Sequence, residues 1–215
     1  MKKKVLITGF DPFGNEHLNP SLEVVKRLDG KVIEDVVIVA QEVPTVFHKS
    51  IQVVIEAIKK EQPDVVICIG QAGGRAQITP ERIAINVDDA RIPDNETNQP
   101  IDEPIDPNGP AAYFSTLPIK RIVKEMRKAG IPSSVSNSAG TFVCNHLFYG
   151  VMNYLEKQAP SIRGGFIHIP YIPEQTIEKN APSLSLDLIV KGIEIASITS
   201  AKEQEDICES GGAIH

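Results

Sequence analysis

The chain alternates short, continuous apolar runs with longer segments in which apolar residues recur every three or four positions. The first pattern is typical of buried parallel strands and the second of amphipathic helices. The runs predict strands at 4–9, 35–43, 64–70, 82–87 and 165–169, and a short strand-like segment from 135. The periodic segments predict helices at 20–28, 45–60, 118–129, from about 142, and at 185–202.

Strand and helix alternate along most of the 215 residues, without an internal repeat or a dividing linker. This order predicts the α/β class, as a single-domain three-layer α/β/α sandwich around a mostly parallel twisted sheet. We expect one catalytic domain over 1–215, with 203–215 as a frayed polar tail. Ligands of such sheets bind beyond the carboxyl ends of the strands, so the loops that follow strands carry the candidate chemistry.

A stretch rich in Pro, Asn, Asp and Gly extends over 88–117 with little periodicity. A loop of this length inside a compact domain is usually functional or partly disordered. Closure of this loop over the site is a hypothesis that the sequence leaves open.

Composition and charge limit the kinds of partner and compartment expected for this protein. The formal net charge is −6, and no basic stripe interleaved with aromatic residues occurs, which argues against nucleic acid. The apolar run after the basic start is too short for a signal peptide, and no run approaches a membrane span. Three widely spaced cysteines do not form a disulfide framework. We therefore expect a cytoplasmic protein without membrane or nucleic-acid partners.

Cys144 is the first candidate for chemistry. It follows a small-residue elbow at 138–140 and falls in or just before the first turn of a predicted helix. Free backbone N–H groups and the positive end of the helix dipole favour a thiolate there. The alternative is a buried structural cysteine, which is the commoner role of a free thiol.

A cysteine nucleophile needs a base, and five histidines are available. His17 and His48 lie in polar surroundings, and His215 is the last residue of the sequence. His146 is only two residues from Cys144, so on a helix their side chains point to different sides. His168 lies near the end of an apolar strand, where an imidazole needs a hydrogen-bond partner. His168 is therefore the favoured base, and a satisfied core histidine is its alternative.

Glu81 is the candidate for the acid that orients the base, because it follows a Gly-rich loop and directly precedes an apolar segment. The alternative is a solvated loop residue. No HExxH, CxxC or phosphate-loop pattern occurs, so neither a metal nor another cofactor is expected.

Two segments resemble the signatures of a known family, the type I pyroglutamyl peptidases (pyrrolidone-carboxylate peptidases). GQAGGRAQITPERIAIN, at 70–86, is similar to the family's glutamate signature, and VSNSAGTFVCN, at 135–145, to its cysteine signature. LITGFDPFG near the start and GFIHIPYIPEQ at 165–175 also resemble this family. The resemblance implies Cys144 as nucleophile, His168 as base and Glu81 as the orienting acid. It further implies removal of N-terminal pyroglutamate from peptides, a cytoplasmic location and a homotetramer.

Pyroglutamate is a small neutral lactam, so its pocket should be apolar with few polar groups. The predicted substrate-binding residues are aromatic walls and side-chain amides, namely Phe10, Phe13, Phe142, Asn19 and Gln71. Arg91, in the long loop, either adds positive charge near the oxyanion or pairs with Asp88 or Asp89.

Two rival functions remain open at this stage. The first is another acyl hydrolase on the same scaffold, such as an amidase or thioesterase with a different pocket. The second is a non-catalytic α/β binding module whose cysteine is structural.

Overall fold

The computed structural model describes residues 2–14 and 16–212. Four long strands, β1, β3, β4 and β8, form the parallel centre of a six-stranded sheet with the order β2-β3-β1-β4-β8-β5. The edge strands β2 and β5 pair antiparallel with their neighbours. A separate antiparallel pair joins β6 to β7. The strands are β1 Lys3–Phe10, β2 Val32–Ile33, β3 Val36–Val43, β4 Val65–Gln71, β5 Thr79–Pro80, β6 Ile83–Ile85, β7 Ala112–Phe114 and β8 Arg163–Ile169.

Helices cover both faces of the sheet and bury two apolar layers against it. One core lies between the sheet and α1, α3 and α5, and the other lies between the sheet and α2 and α4. This is the predicted single-domain three-layer sandwich with a mostly parallel sheet, and the prediction is confirmed. The helices are α1 Pro20–Leu28, α2 Lys49–Glu61, α3 Ile119–Lys128, α4 Val143–Gln158 and α5 Leu186–Lys202.

Two helices begin with a side-chain cap. Asn19 caps α1 and accepts a hydrogen bond from the Ser21 backbone N–H, and Ser185 caps α5 in the same manner. Gly130 ends the segment after α3 with a φ of +76°, a conformation that glycine adopts without strain.

Three local predictions were wrong. Helix α2 begins at Lys49 and not at 45, because His48 has a φ of +62°, which a right-handed helix does not allow. The turn before it is held by Asp94, whose carboxylate accepts a hydrogen bond from the Phe47 backbone N–H at 2.9 Å. The segment from 135 forms only an isolated bridge, between Ser136 and Glu81, and adds no strand to the sheet. The stretch at 88–117, predicted as a loop, contains the strand β7, which its sequence did not indicate because it lacks hydrophobic periodicity.

The segment after α5 has no regular secondary structure, but it contacts α3. The Asp206 carboxylate accepts hydrogen bonds from the backbone N–H groups of Lys120 and Arg121, at the start of that helix. Residues 213–215 of the predicted tail lie outside the described part of the chain, so fraying of 203–215 stays a prediction. Among the described helices, none is both long and apolar enough to span a membrane.

Candidate active site

The candidate site lies at the carboxyl edge of the parallel sheet, where β4 and β8 end beside the start of α4. Gly70 of β4 and His168 of β8 are direct neighbours in the parallel register. Neighbouring residues of paired strands face the same side of a sheet. The Cys144 Sγ atom lies only 2.9 Å from the position that a Cβ on Gly70 would take. The missing side chain of Gly70 therefore leaves the space in which the thiol sits, on the face of the sheet that carries His168.

Cys144 occupies the second position of α4, as the sequence predicted, and its side chain is half-buried. The residue before the helix is Phe142, which supplies no capping hydrogen bond. The first N–H groups of a helix have no partner within it, so those around Cys144 are open to another acceptor. An anion beside the thiol would find hydrogen-bond donors and the positive helix end together.

His168 is buried, with 4 % of its surface exposed, and its imidazole contacts a carboxylate. The Nδ1 atom lies 2.7 Å from Oε1 of Glu81. Since an ionised carboxylate only accepts hydrogen bonds, Nδ1 carries the proton and Nε2 presents its lone pair. The orientation of this imidazole is therefore that of a general base whose tautomer is fixed by an acid.

Glu81 is fully buried and follows β5 at the edge of the sheet. Its backbone N–H donates to the Phe166 carbonyl at 2.8 Å, which fixes it beside β8. Its Oε1 atom accepts hydrogen bonds from both His168 and the Arg75 guanidinium, the latter at 2.6 Å. The alternative of a solvated loop residue is therefore wrong for Glu81.

Arg75 belongs to the site, and the sequence reasoning missed it. Besides Glu81, its guanidinium donates to the hydroxyl of Thr79 and to the Ser138 carbonyl. The signal available in the sequence was a cation on the Gly-rich loop, six residues before the candidate acid. Arg75 thus joins the carboxylate to the elbow that precedes α4.

The electrostatics of the site favour a neutral base and a protonated thiol at rest. Burial lowers the pKa of His168, and its bond to Glu81 offsets this only in part. Burial raises the pKa of Glu81, but His168 and Arg75 lower it by more, so this carboxyl stays ionised. Burial and the Glu81 charge raise the pKa of Cys144 to about 12. Burial and the Glu81 charge thus oppose the thiolate that the helix start favours.

Aromatic rings line one side of this edge. The Phe142 ring lies 6.2 Å from that of Phe13 and 5.5 Å from that of Phe47, measured between centroids. Phe10, predicted as a wall of the substrate pocket, is buried and packs against Phe166. It ends β1, and its side chain belongs to the core between the sheet and α2 and α4.

The two predicted amide residues differ in their surroundings. Asn19 is buried, accepts from Ser21 and donates to the Asp11 carbonyl at 3.0 Å, so its polar atoms serve the loop after β1. Gln71, at the end of β4, accepts a hydrogen bond from Gln175 at 2.8 Å through its side-chain oxygen.

Arg91 is exposed in the long loop, and within the described residues it forms no ion pair with Asp88 or Asp89. Asp88 instead contacts Nδ1 of His146 at 2.7 Å, in a second buried pair. The Nε2 atom of His146 accepts the His48 backbone N–H at 2.8 Å. His146 therefore makes structural hydrogen bonds at the start of α4.

A thiol, an imidazole and a buried carboxylate in this order are the groups that cysteine-dependent acyl hydrolases use. Over the described residues, no group of three or more His, Cys, Asp or Glu side chains is placed to hold a metal ion. The geometry of the site is therefore that of a cysteine-dependent acyl hydrolase.

Comparison with known proteins identifies the family. The family model for pyroglutamyl peptidase matches residues 3–204. The chain is 66% identical over 214 residues to the pyrrolidone-carboxylate peptidase of Bacillus licheniformis, and each chain is covered completely. It is 60% identical over 215 residues to the protein of the same name from Bacillus subtilis, again with complete coverage of both. This chain belongs to the pyroglutamyl peptidase family.

Solved structures agree with this assignment. The crystal structure of pyroglutamyl peptidase I from Bacillus amyloliquefaciens superposes with a TM-score of 0.97 at 63% identity, covering 98% of this chain and 100% of the other. A mutant pyrrolidone carboxyl peptidase from Pyrococcus furiosus gives a TM-score of 0.89 at 44% identity, with 92% and 97% covered. The predicted family membership is confirmed.

Proposed function

We propose that this protein is a cysteine peptidase that removes an N-terminal pyroglutamyl residue from peptides. The observation that carries the proposal is the position of Cys144 Sγ over Gly70, the strand neighbour of His168, whose tautomer Glu81 fixes. The names of the Bacillus relatives support the same activity.

The first half of the reaction is acylation. As Sγ of Cys144 attacks the pyroglutamyl carbonyl carbon, the thiol proton passes to Nε2 of His168. The carbonyl oxygen becomes an oxyanion and accepts hydrogen bonds from the free N–H groups at the start of α4. His168 then gives its proton to the leaving amine, the C–N bond breaks, and a thioester on Cys144 remains.

The second half is hydrolysis of the thioester. His168 takes a proton from water, whose oxygen attacks the acyl carbon, and the C–S bond breaks. The imidazolium returns the proton to Cys144, and free pyroglutamate leaves. Glu81 stabilises the imidazolium in both halves, and Arg75 holds Glu81 ionised against its burial.

The pocket for the lactam ring is formed by Phe13 and Phe142, with Phe10 behind them in the core. Gln71 supplies a polar group, and Asn19 acts by holding the loop that carries Phe13. In this proposal Arg91, exposed in the long loop, supplies positive charge to the oxyanion or to the peptide beyond it. The hydrogen bonds of Asn95 to Asp11 and Pro12 show that this loop packs against the loop carrying Phe13.

Residues 1–215 act as one catalytic domain in this proposal, and copies of the chain associate as a homotetramer in the cytoplasm. An apolar groove on β7 and α4 supports association, since Phe114 is 64% exposed there. Three free cysteines suit a reducing compartment. Sedimentation velocity tests the tetramer, and a monomer at micromolar concentration would exclude it.

The decisive assay compares fluorogenic pyroglutamyl, alanyl and prolyl amides. We expect the pyroglutamyl amide to be preferred by about 10⁴-fold in kcat/KM, since the other two leave buried polar groups unpaired. Comparable cleavage of all three would indicate the rival amidase.

The Cys144→Ser variant should lose at least about 10³-fold in kcat while its melting temperature is kept. Retained turnover in that variant would exclude the mechanism, and a wild type inert on all three would support the binding module.

A further inference from the structure

One oxygen of the Glu81 carboxylate has no hydrogen-bond partner among the described residues. Glu81 is fully buried, and both His168 and Arg75 donate to its Oε1 atom. The Oε2 atom is buried as well, and no described residue donates to it. A buried acceptor without a donor is costly, and more so when it carries charge. Since the proposed mechanism needs an ionised acid, the second oxygen of this carboxylate needs a donor too.

Ser136 is the residue placed to supply that donor. Its backbone N–H donates to the Pro80 carbonyl at 3.0 Å, and its carbonyl accepts the Arg82 N–H at 2.8 Å. These two bonds make Ser136 the partner of Glu81 in an isolated parallel bridge. Residues paired in this way face the same side, so the Ser136 hydroxyl and the Glu81 carboxylate leave the backbone together.

The Ser136 hydroxyl has one proton and two acceptors to which it can turn. Its Oγ atom lies 3.1 Å from the Ser138 carbonyl oxygen and accepts the Ser138 N–H at 3.3 Å. That carbonyl oxygen already accepts a hydrogen bond from Arg75, at 3.1 Å. The Oε2 atom of Glu81 is charged and unpartnered, and charge-assisted hydrogen bonds are roughly twice as strong as neutral ones. Rotation of the hydroxyl toward the ionised carboxylate is therefore favourable.

The electrostatics of the acid agree with this geometry. Within the described chain, the charged and titratable groups that act on Glu81 are His168 on β8, Arg75 on the Gly-rich loop and Cys144 on α4. Burial raises the pKa of the carboxyl, and His168, Arg75 and the Ser136 hydroxyl lower it. The hydroxyl carries no charge, so it acts on the acid as a hydrogen-bond donor and not as a counter-ion.

We propose that Ser136 is a positioning residue that acts through Glu81, its hydroxyl donating to Oε2 so that the acid stays ionised and oriented toward His168. The inference rests on the proposed function and adds a side chain to its acid–base system. Removing the donor weakens the state with a carboxylate and a neutral imidazole more than the protonated pair, in which the negative charge is already balanced. The apparent pKa of the Glu81–His168 pair should therefore rise.

The test replaces Ser136 by Ala and follows the acid limb of kcat/KM on a pyroglutamyl amide. We expect this limb to move to higher pH by about half a unit to one unit, and kcat on the plateau to fall by less than about tenfold. Ser136→Thr keeps the hydroxyl and should leave the limb at its wild-type position. The matched control is Ser134→Ala, since the Ser134 hydroxyl lies in the same segment and forms no hydrogen bond within the described residues.

A second readout needs no turnover. In protein labelled with 15N-histidine, NMR should show the His168 imidazole titrating at higher pH in Ser136→Ala than in the wild type. The His168→Gln variant assigns the signals, because it lacks only those of that residue.

An acid limb and a His168 titration that both stay in place in Ser136→Ala would overturn the inference. A loss of kcat or of melting temperature with an unmoved limb would do the same, because it would show that Ser136 only supports the fold. A limb that shifts as far in Ser136→Thr as in Ser136→Ala would also contradict a role for the hydroxyl. Failure of the proposed function is a separate result, in which the wild type does not cleave the pyroglutamyl amide. The NMR titration would then still decide whether Ser136 acts on the pair.

Discussion

The two buried histidine–carboxylate pairs of this protein have nearly the same geometry and different surroundings. In each pair Nδ1 lies 2.7 Å from a carboxylate oxygen, His168 with Glu81 and His146 with Asp88. In each, both side chains are almost inaccessible to solvent. A histidine held by a buried acid is therefore not by itself a mark of catalysis in this chain.

The difference lies at the other ring nitrogen. Nε2 of His146 accepts the His48 backbone N–H at 2.8 Å, so both nitrogens of this imidazole are used within the fold. Nε2 of His168 forms no hydrogen bond within the described residues, and its strand neighbour Gly70 leaves room for the thiol. Only the second imidazole has a lone pair available to take a proton.

The carboxylates also differ. Glu81 shares one oxygen between His168 and Arg75, whereas within the described chain no lysine or arginine pairs with Asp88. The extra cation matters because a buried carboxylate otherwise tends to protonate. The comparison teaches that a free nitrogen and a charge-balanced acid, rather than the pair itself, separate the proposed catalytic dyad from the structural one.

The largest effect that tests this comparison is expected on replacing His168 by Gln. The variant keeps a donor for Glu81 but cannot take the thiol proton. We expect kcat to fall by about 10²- to 10⁴-fold, the usual contribution of a general base. Steady-state kinetics on the pyroglutamyl amide measures the loss, and thermal unfolding should show little change.

The matched variant is His146→Gln, which should give the reverse result. It weakens two buried hydrogen bonds, so we expect the free energy of unfolding to fall by about 1–3 kcal/mol while kcat stays within a few-fold. A large loss of kcat in this variant with unchanged stability would break the distinction drawn between the two pairs.

The next-largest loss of kcat is expected on replacing Gly70, the strand neighbour of His168. In Gly70→Ala the new methyl group would lie 2.9 Å from Cys144 Sγ and 2.8 Å from the Phe166 ring. Displacing the thiol from the imidazole should lower kcat by about 10²-fold, since small misplacements of reacting groups are costly. The measurement is kcat together with the rate of Cys144 alkylation by iodoacetamide. Unchanged values of both would mean that the thiol does not depend on this gap.

Much of this arrangement could be predicted from the sequence because it depends on local patterns. The apolar runs located the four central strands, and the spacing after the elbow placed Cys144 in the first turn of α4. The apolar setting of His168 indicated an imidazole that needed a partner. Each of these inferences uses residues close together in the chain.

The features that could not be predicted from the sequence depend on long-range contacts. The turn before α2 is held by Asp94, which is 47 residues from Phe47. The burial of Phe10 follows from its packing on Phe166, in a strand far along the chain. Arg75 was overlooked because nothing local distinguishes a guanidinium that will bind a buried carboxylate from one on a solvated loop.

The smallest effect expected is a shift in the pH dependence when Arg75 is replaced by Gln. The base must be neutral to accept the thiol proton, so activity is lost as pH falls through the pKa of His168. Burial holds that pKa below its ordinary value, and the Arg75 charge lowers it further. The acid limb of kcat/KM should therefore lie below about pH 6.5 in the wild type.

Removing the guanidinium takes away this lowering and leaves more negative charge beside the imidazole. The pKa of His168 should rise, and the acid limb should move to higher pH by up to about one pH unit. Arg75→Lys keeps the charge and should leave the limb near its original position. Because Arg75 contacts Glu81 and not Asp88, no variant at position 75 should alter the His146 pair. If the acid limb of kcat/KM stays in place in Arg75→Gln, Glu81 and burial alone set the pKa of His168. Arg75 would then not be one of the features that distinguish the His168–Glu81 pair from the His146–Asp88 pair.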